Sequence, residues 1–176
     1  MVETSTKGTG NIFKIFRLSD GSIVNVHIYD TAGQEVYRAL SLNYYRKADC
    51  CLLVYDITNY NSFKDCVDYY QKNIDEKCKK GIKVVLLGNK TDLEKDRKVQ
   101  PEEGASFANK NNYIFIETSC LKNTNVSDAF ETLIELTNLE LKKNNKDENI
   151  NNNGNDTVKL ESGNQNEEKS NGCGLC

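Results

Sequence analysis

Three polar clusters and one cysteine pair mark the places where this sequence could do chemistry. Asp30-Thr-Ala-Gly33-Gln34-Glu35, Gly88-Asn89-Lys90-Thr91-Asp92-Leu93 and Glu117-Thr118-Ser119-Cys120 each follow an apolar run. Apart from one another they read as a turn, a helix cap and a solvated loop. Occurring in this order, each at a strand end, they converge on a single ligand site, because open α/β sheets bind ligands beyond the carboxyl ends of their strands. Cys173-Gly-Leu-Cys176 has the four-residue length of a C-a-a-X lipidation site. A zinc pair is the other use of such spacing. It needs further ligands, and the sole histidine, His27, lies inside a strand pattern.

The elements that must position these groups are legible as hydrophobic patterns. Residues 12–18 and 23–29 alternate around Ser19-Asp20-Gly21-Ser22, which predicts a β-hairpin on an Asp-Gly turn. Residues 50–55, 84–87 and 113–116 are short continuous apolar runs, as strands buried on both faces should be. Helical periodicity runs from Ser62 to about Cys78, from Pro101, and from Ser127 to about Leu141, where Ala129, Phe130, Leu133, Ile134 and Leu136 form one face. A hairpin followed by alternating strand and helix predicts an α/β fold: a parallel sheet with one antiparallel edge, flanked by helices.

Composition narrows the class. With 26 acidic against 23 basic residues and a net charge of −3, the chain lacks the basic footprint of a nucleic-acid binder. No apolar run approaches the 18 or so residues that span a bilayer, and Met1–Gly8 lacks the pattern of a signal peptide, so a cytosolic protein is expected. The seven cysteines do not form a disulfide framework. From Lys143 onward the chain is rich in Asn, Glu and Lys, with four lysines against six acids. The expected organisation is a domain over residues 1–142 and a disordered tail over 143–176, with a reach of roughly 30 Å.

Taken together, the three clusters and their flanks, Val26-His-Ile-Tyr-Asp30, Val36-Tyr-Arg-Ala-Leu-Ser41, Tyr44-Tyr-Arg-Lys-Ala48 and Leu53-Val-Tyr-Asp-Ile-Thr58, resemble the Rab family of Ras-superfamily small GTPases. The resemblance spans roughly Ile12 to Leu141. It implies a GTP-binding, GTP-hydrolysing switch in vesicle transport, working in the cytosol and on the cytoplasmic face of endomembranes. Asp92, an acceptor when ionised, would take the ring N–H and exocyclic amine of guanine. Asn89 would bond the other edge of the base, the Lys90 stem would cover the ring, Ser119 would steady the Asp92 loop, and the Cys120 N–H would meet the guanine oxygen. Leu121 stands where the family has Lys, which removes a charged contact. Asp30 would hold Mg²⁺ through water, the Gly33 N–H would sense the γ-phosphate, and Gln34 would orient the attacking water.

The same resemblance makes Phe13, Tyr29 and Tyr44 an effector surface. It implies effector proteins, a GTPase-activating protein, an exchange factor, and the prenylation and GDP-dissociation-inhibitor machinery as partners. Prenyl groups on Cys173 and Cys176 would anchor the protein to membrane. Two lipids are expected, because one chain binds only marginally and the acidic tail adds no basic second signal.

The sequence departs from the family in one respect: no Gly-x-x-x-x-Gly-Lys-[Ser/Thr] phosphate cradle occurs in it. Lys7-Gly8-Thr9-Gly10 lacks that spacing, and Thr6 and Thr9 straddle the position of the Mg²⁺-binding switch threonine. The family's central first strand is missing with the cradle, so residues 23–29 and 50–55 are expected to border an opening in the sheet. An incomplete record of a normal Rab is the first reading, and weak GTP binding is expected of the chain as it stands. The alternative is a nucleotide-independent, lipid-anchored binding module.

Overall fold

The computed structural model describes residues 10–30, 44–151 and 172–175. Six strands form one sheet: β1 (Gly10–Arg17), β2 (Ile23–Asp30), β3 (Cys50–Asp56), β4 (Lys83–Asn89), β5 (Ile114–Glu117) and β6 (Gly172–Leu175). Their spatial order is β1-β2-β6-β3-β4-β5. The β1–β2 pair is the predicted antiparallel hairpin, with Phe13 opposite His27 and Ile15 opposite Asn25. Its turn is fixed by Asp20, which accepts from the Ser22 amide and hydroxyl, and by Gly21 at φ +81°. The pairings of β3 with β4 and of β4 with β5 are parallel.

Helices cover both faces. After β3, α1 (Tyr60–Asp65), a π turn (Cys66–Tyr70) and α2 (Gln71–Lys77) run end to end, two residues earlier than the periodicity suggests because Asn59 caps the Asn61 amide. Next come α3 (Pro101–Lys110), opened by a capping box between Gln100 and Glu103, and α4 (Val126–Asn151). Alternate residues of the sheet feed two cores. Cys51, Leu53, Tyr55, Val84 and Leu86 pack with Phe63, Cys66, Ile74 and Ala108. Val26, Cys50, Val85 and Leu87 pack with Ala129, Leu133 and Ile134 of α4.

Two expectations about the C-terminal third are corrected. The order expected to stop at residue 142 continues, because α4 runs to Asn151. Between Lys143 and Asn151 there is neither Gly nor Pro, and extending an existing helix escapes the cost of nucleating one. The opening expected between β2 and β3 is partly filled by Gly172–Leu175, from the segment read as disordered. This strand lies parallel to both neighbours, with Asn25 opposite Gly172, Ile28 opposite Leu175, and Cys50 opposite Leu175. Backbone groups on two flanking strands supply the ladder that its own composition would not call for. Past β6, a cavity of about 500 Å³ continues between the strands, with Ile28, Leu52 and Phe130 from one core and Tyr45, Leu53 and Tyr70 from the other.

Tyr55 sets how closely α3 approaches the sheet. It is 1% exposed, and its hydroxyl is buried with no hydrogen-bond partner. A Cβ on Gly104 would meet that oxygen at 2.6 Å and the Phe115 ring at 2.7 Å. Gly104→Ala is therefore expected to destabilise the fold by about 1–3 kcal/mol through overpacking. Tyr55→Phe, which deletes an unsatisfied hydroxyl, should stabilise it by about 1 kcal/mol. Urea unfolding of the two variants checks both signs.

Candidate functional site

The site is built at the carboxyl ends of β4 and β5. Asn89 closes β4, and its Oδ1 accepts from the Thr118 hydroxyl at 3.2 Å and the Cys120 amide at 3.3 Å. Its Nδ2 is the group left to donate. Thr91 returns the tie: its amide and hydroxyl both donate to the Thr118 carbonyl, each at 3.1 Å. Asp92 Oδ1 accepts from the Ser119 hydroxyl at 2.5 Å, and Ser119 Oγ accepts in turn from the Lys122 amide at 3.1 Å. Thr118 and Ser119 are buried, so the bonds of their hydroxyls are partly shielded from water. Asp92 is half-buried, and an ionised carboxylate of this kind is an acceptor only.

Lys90, between Asn89 and Thr91, adopts φ +72°, a left-handed conformation uncommon for a side chain of this size. The Leu93 amide donates to its carbonyl at 2.8 Å. Its ammonium reaches across the strand ends to Asp56 Oδ2 at 2.7 Å. Asp56 also accepts from the Thr58 amide and hydroxyl at 2.8 and 2.7 Å. Burial pushes the Asp56 carboxyl up, but the Lys90 and Thr58 donors outweigh it and hold the group below its ordinary value. The stability this contributes is present above the ordinary carboxylate range and is lost as the pH falls through the lowered value. Asp56→Asn should flatten the acid limb of a stability-versus-pH curve, read by denaturant unfolding between pH 3 and 7.

Arg97 joins the two motifs from behind. It is 6% exposed, and its Nη1 and Nη2 grip the two Glu117 oxygens at 2.7 and 3.2 Å. Nε and Nη2 grip Glu94 at 2.8 and 2.7 Å, and Nη1 also donates to the Val99 carbonyl at 3.0 Å. One guanidinium therefore fixes the loop after β4 to the end of β5. Sequence reading missed Arg97, Asp56 and the hydroxyl of Thr118. The i,i+3 spacing of Glu94 and Arg97 was the one signal available for the arginine. Arg97→Ala is expected to cost roughly 3 kcal/mol by leaving Glu117 without its buried partner. Glu94→Gln, at an exposed carboxylate, should cost far less, and urea unfolding of both variants gives the comparison.

The remaining candidates fall elsewhere. Asp30 ends β2 and is exposed, while Leu121 is 72% exposed beside Cys120, also exposed. Tyr29 stacks on Tyr44 with centroids 4.7 Å apart, and Phe13, 54% exposed, meets His27 edge-on at 4.9 Å. By the strand alternation Phe13, His27 and Tyr29 share one face, so the aromatic row has four members and His27 is the one not foreseen. Thr6, Thr9, Gly33, Gln34 and Cys176 lie outside the described residues. The backbone of Cys173 lies within β6.

Comparison with known proteins places these motifs in a family. The Ras family model matches residues 2–138. "Ras-related protein RIC2" of Oryza sativa subsp. japonica is 44% identical over 115 residues, covering 65% of this chain and 52% of that protein. "GTP-binding protein ypt3" of Schizosaccharomyces pombe is 46% identical over 115 residues, covering 65% and 53%. The chain spans about half the length of these relatives. On the match over residues 2–138, the chain belongs to the Ras family as a Rab-like small GTPase.

Proposed function

We propose that the protein binds guanine nucleotide at the ends of β4 and β5, hydrolyses GTP, and acts as a switch in vesicle-mediated membrane transport. The observation that carries this reading is the bonding between Asn89, Thr118, Cys120, Asp92 and Ser119, which holds a carboxylate and a carboxamide on two loops tied together. Guanine offers a ring N–H and an amine side by side, which the Asp92 carboxylate can accept together. Adenine offers no such pair, and this is the basis of selectivity. Asn89 takes the opposite edge of the base, the Lys90 stem lies over the ring, and the Cys120 N–H turns to the base oxygen.

Gln34 orients the attacking water and the Gly33 N–H follows the γ-phosphate, as in the family template. Asp30 offers one carboxylate, and among the described residues no group of three or more His, Cys, Asp or Glu side chains gathers to hold a metal. These residues do not by themselves make a Mg²⁺ site. Phe13, Tyr29 and Tyr44 form the surface for effectors, with a GTPase-activating protein and an exchange factor setting the nucleotide state. Prenyl groups on Cys173 and Cys176 hold the protein on the cytoplasmic face of endomembranes.

Nucleosides test the base site without calling on a phosphate cradle. Guanosine should perturb the amide resonances of Asn89, Asp92 and Cys120, and adenosine should leave them unmoved. In Asp92→Asn the affinity for guanosine should fall at least tenfold, about 1.4 kcal/mol, as a charged acceptor is lost. Xanthosine, with a carbonyl where guanosine has its amine, should gain. Equal response to guanosine and adenosine would remove the guanine reading.

A further inference from the structure

We infer that the end of the fold opposite the base site is an electrostatic docking surface for an anionic lipid bilayer, built from the turns that lead into β3, β4 and β5 and from residues 140–143 of α4. The basic second signal that the tail lacks thus stands on the fold itself. The inference goes beyond the lipidation reading and does not depend on it.

Charge is divided along the strand axis. The amino ends of the strands are bordered by the hairpin end (17–22) and by residues 46–49, 75–83 and 110–113, which precede β3, β4 and β5. Residues 140–143 of α4 join them, because Lys142 pairs with Asp20 and Glu140 with Lys83. These five segments hold ten basic residues and five acidic ones. At the carboxyl ends the balance is reversed. Asp30, Asp56 and residues 90–103 and 117–128 hold nine acidic residues and five basic ones. In a chain with 26 acidic against 23 basic residues, the basic end stands against the average.

Much of that excess is open to a partner. Lys79 pairs with Asp49 and Lys83 with Glu140, so two of the five acids are already neutralised from within the end. Arg46, Lys47, Lys80, Lys110 and Lys143 are exposed and have no ion-pair partner among the described residues. Lys77 and Lys110 close α2 and α3, where a cation also suits the helix dipole. Lys47, Lys79 and Lys80 close no helix and need another account. Lysine carries its charge on a long flexible stem, so it can reach lipid phosphates without burying the backbone.

Magnitudes favour one orientation. A lysine near an anionic leaflet strengthens binding about fivefold, and the attraction fades over a screening length of about 8 Å. The seven residues of β3 set the two ends of the sheet about 23 Å apart, so the acidic end lies beyond the reach of the leaflet's charge. The helix α4 also leaves the sheet at the basic end, on the way to Cys173 and Cys176. Lipid on those cysteines and charge on the turns would therefore draw the same end to the bilayer and leave Asn89 and Asp92 turned away from it.

The test uses the full 176-residue chain without lipid, sedimented with vesicles of phosphatidylcholine alone or with about 30% phosphatidylserine, at about 50 mM salt. The parent should prefer the serine vesicles at least tenfold and lose the preference at about 500 mM salt. Lys80→Glu with Lys110→Glu should weaken binding at least tenfold. Lys95→Glu with Lys98→Glu changes the net charge equally at the other end and should bind as the parent does. Urea unfolding checks that both pairs keep the fold, and Lys80→Gln with Lys110→Gln replaces the first pair if it does not, with a loss of about fivefold or more expected. No preference for serine vesicles, or equal losses in the two glutamate pairs, would overturn the proposal. Competition by soluble glycerophosphoserine would overturn it in favour of a pocket for the free headgroup. A positive result leaves the lipidation reading to be settled by the mass of the modified chain.

Discussion

Asn89 Oδ1 accepts one hydrogen bond from the side chain of Thr118 and another from the backbone of Cys120, and the arrangement of the site follows from that single oxygen. It lies at the end of β4, while both donors lie just past the end of β5, so it joins two loops that the chain visits almost thirty residues apart. Thr91 ties the same loops in the opposite direction through the Thr118 carbonyl, and Ser119 then fixes Asp92. Thr118 and Ser119 are buried, so their polar groups would be costly to leave unpaired. Together they hold the loops after β4 and β5 in one fixed arrangement, which is the condition for a site to meet a ligand without a large ordering cost.

Much of this could be read in the residues. Continuous apolar runs marked β3, β4 and β5 because strands buried on both faces have no polar side, and the Asp-Gly turn marked the hairpin. The site motifs were legible because strand ends are where polar residues interrupt such runs. Arg97 was not, because its two partners are three and twenty residues away and only folding makes them one cluster. His27 read as a strand residue, and its place in the aromatic row depends on cross-strand register with Phe13. Strand β6 was hidden for the same kind of reason. Gly-Cys-Gly-Leu carries no strand signal of its own, and its pairing comes from backbone groups offered by residues far earlier in the chain.

The left-handed Lys90 shows how local strain and a long-range contact can support one another. Its conformation costs of order 1 kcal/mol, and the Asp56 ion pair together with the Leu93 hydrogen bond offsets it. The ammonium is thereby directed toward the end of β3.

The helix α4 reaches past the sheet it covers. Glu135 accepts from the Ser19 amide, Lys142 pairs with Asp20 at 2.8 Å, and Lys83 of β4 pairs with Glu140 at 3.2 Å. One side of the helix thus holds the hairpin and the other holds β4, on either side of β6. In mechanical terms the domain is two stiff plates, β1–β2 and β3–β5, with α4 as the splint.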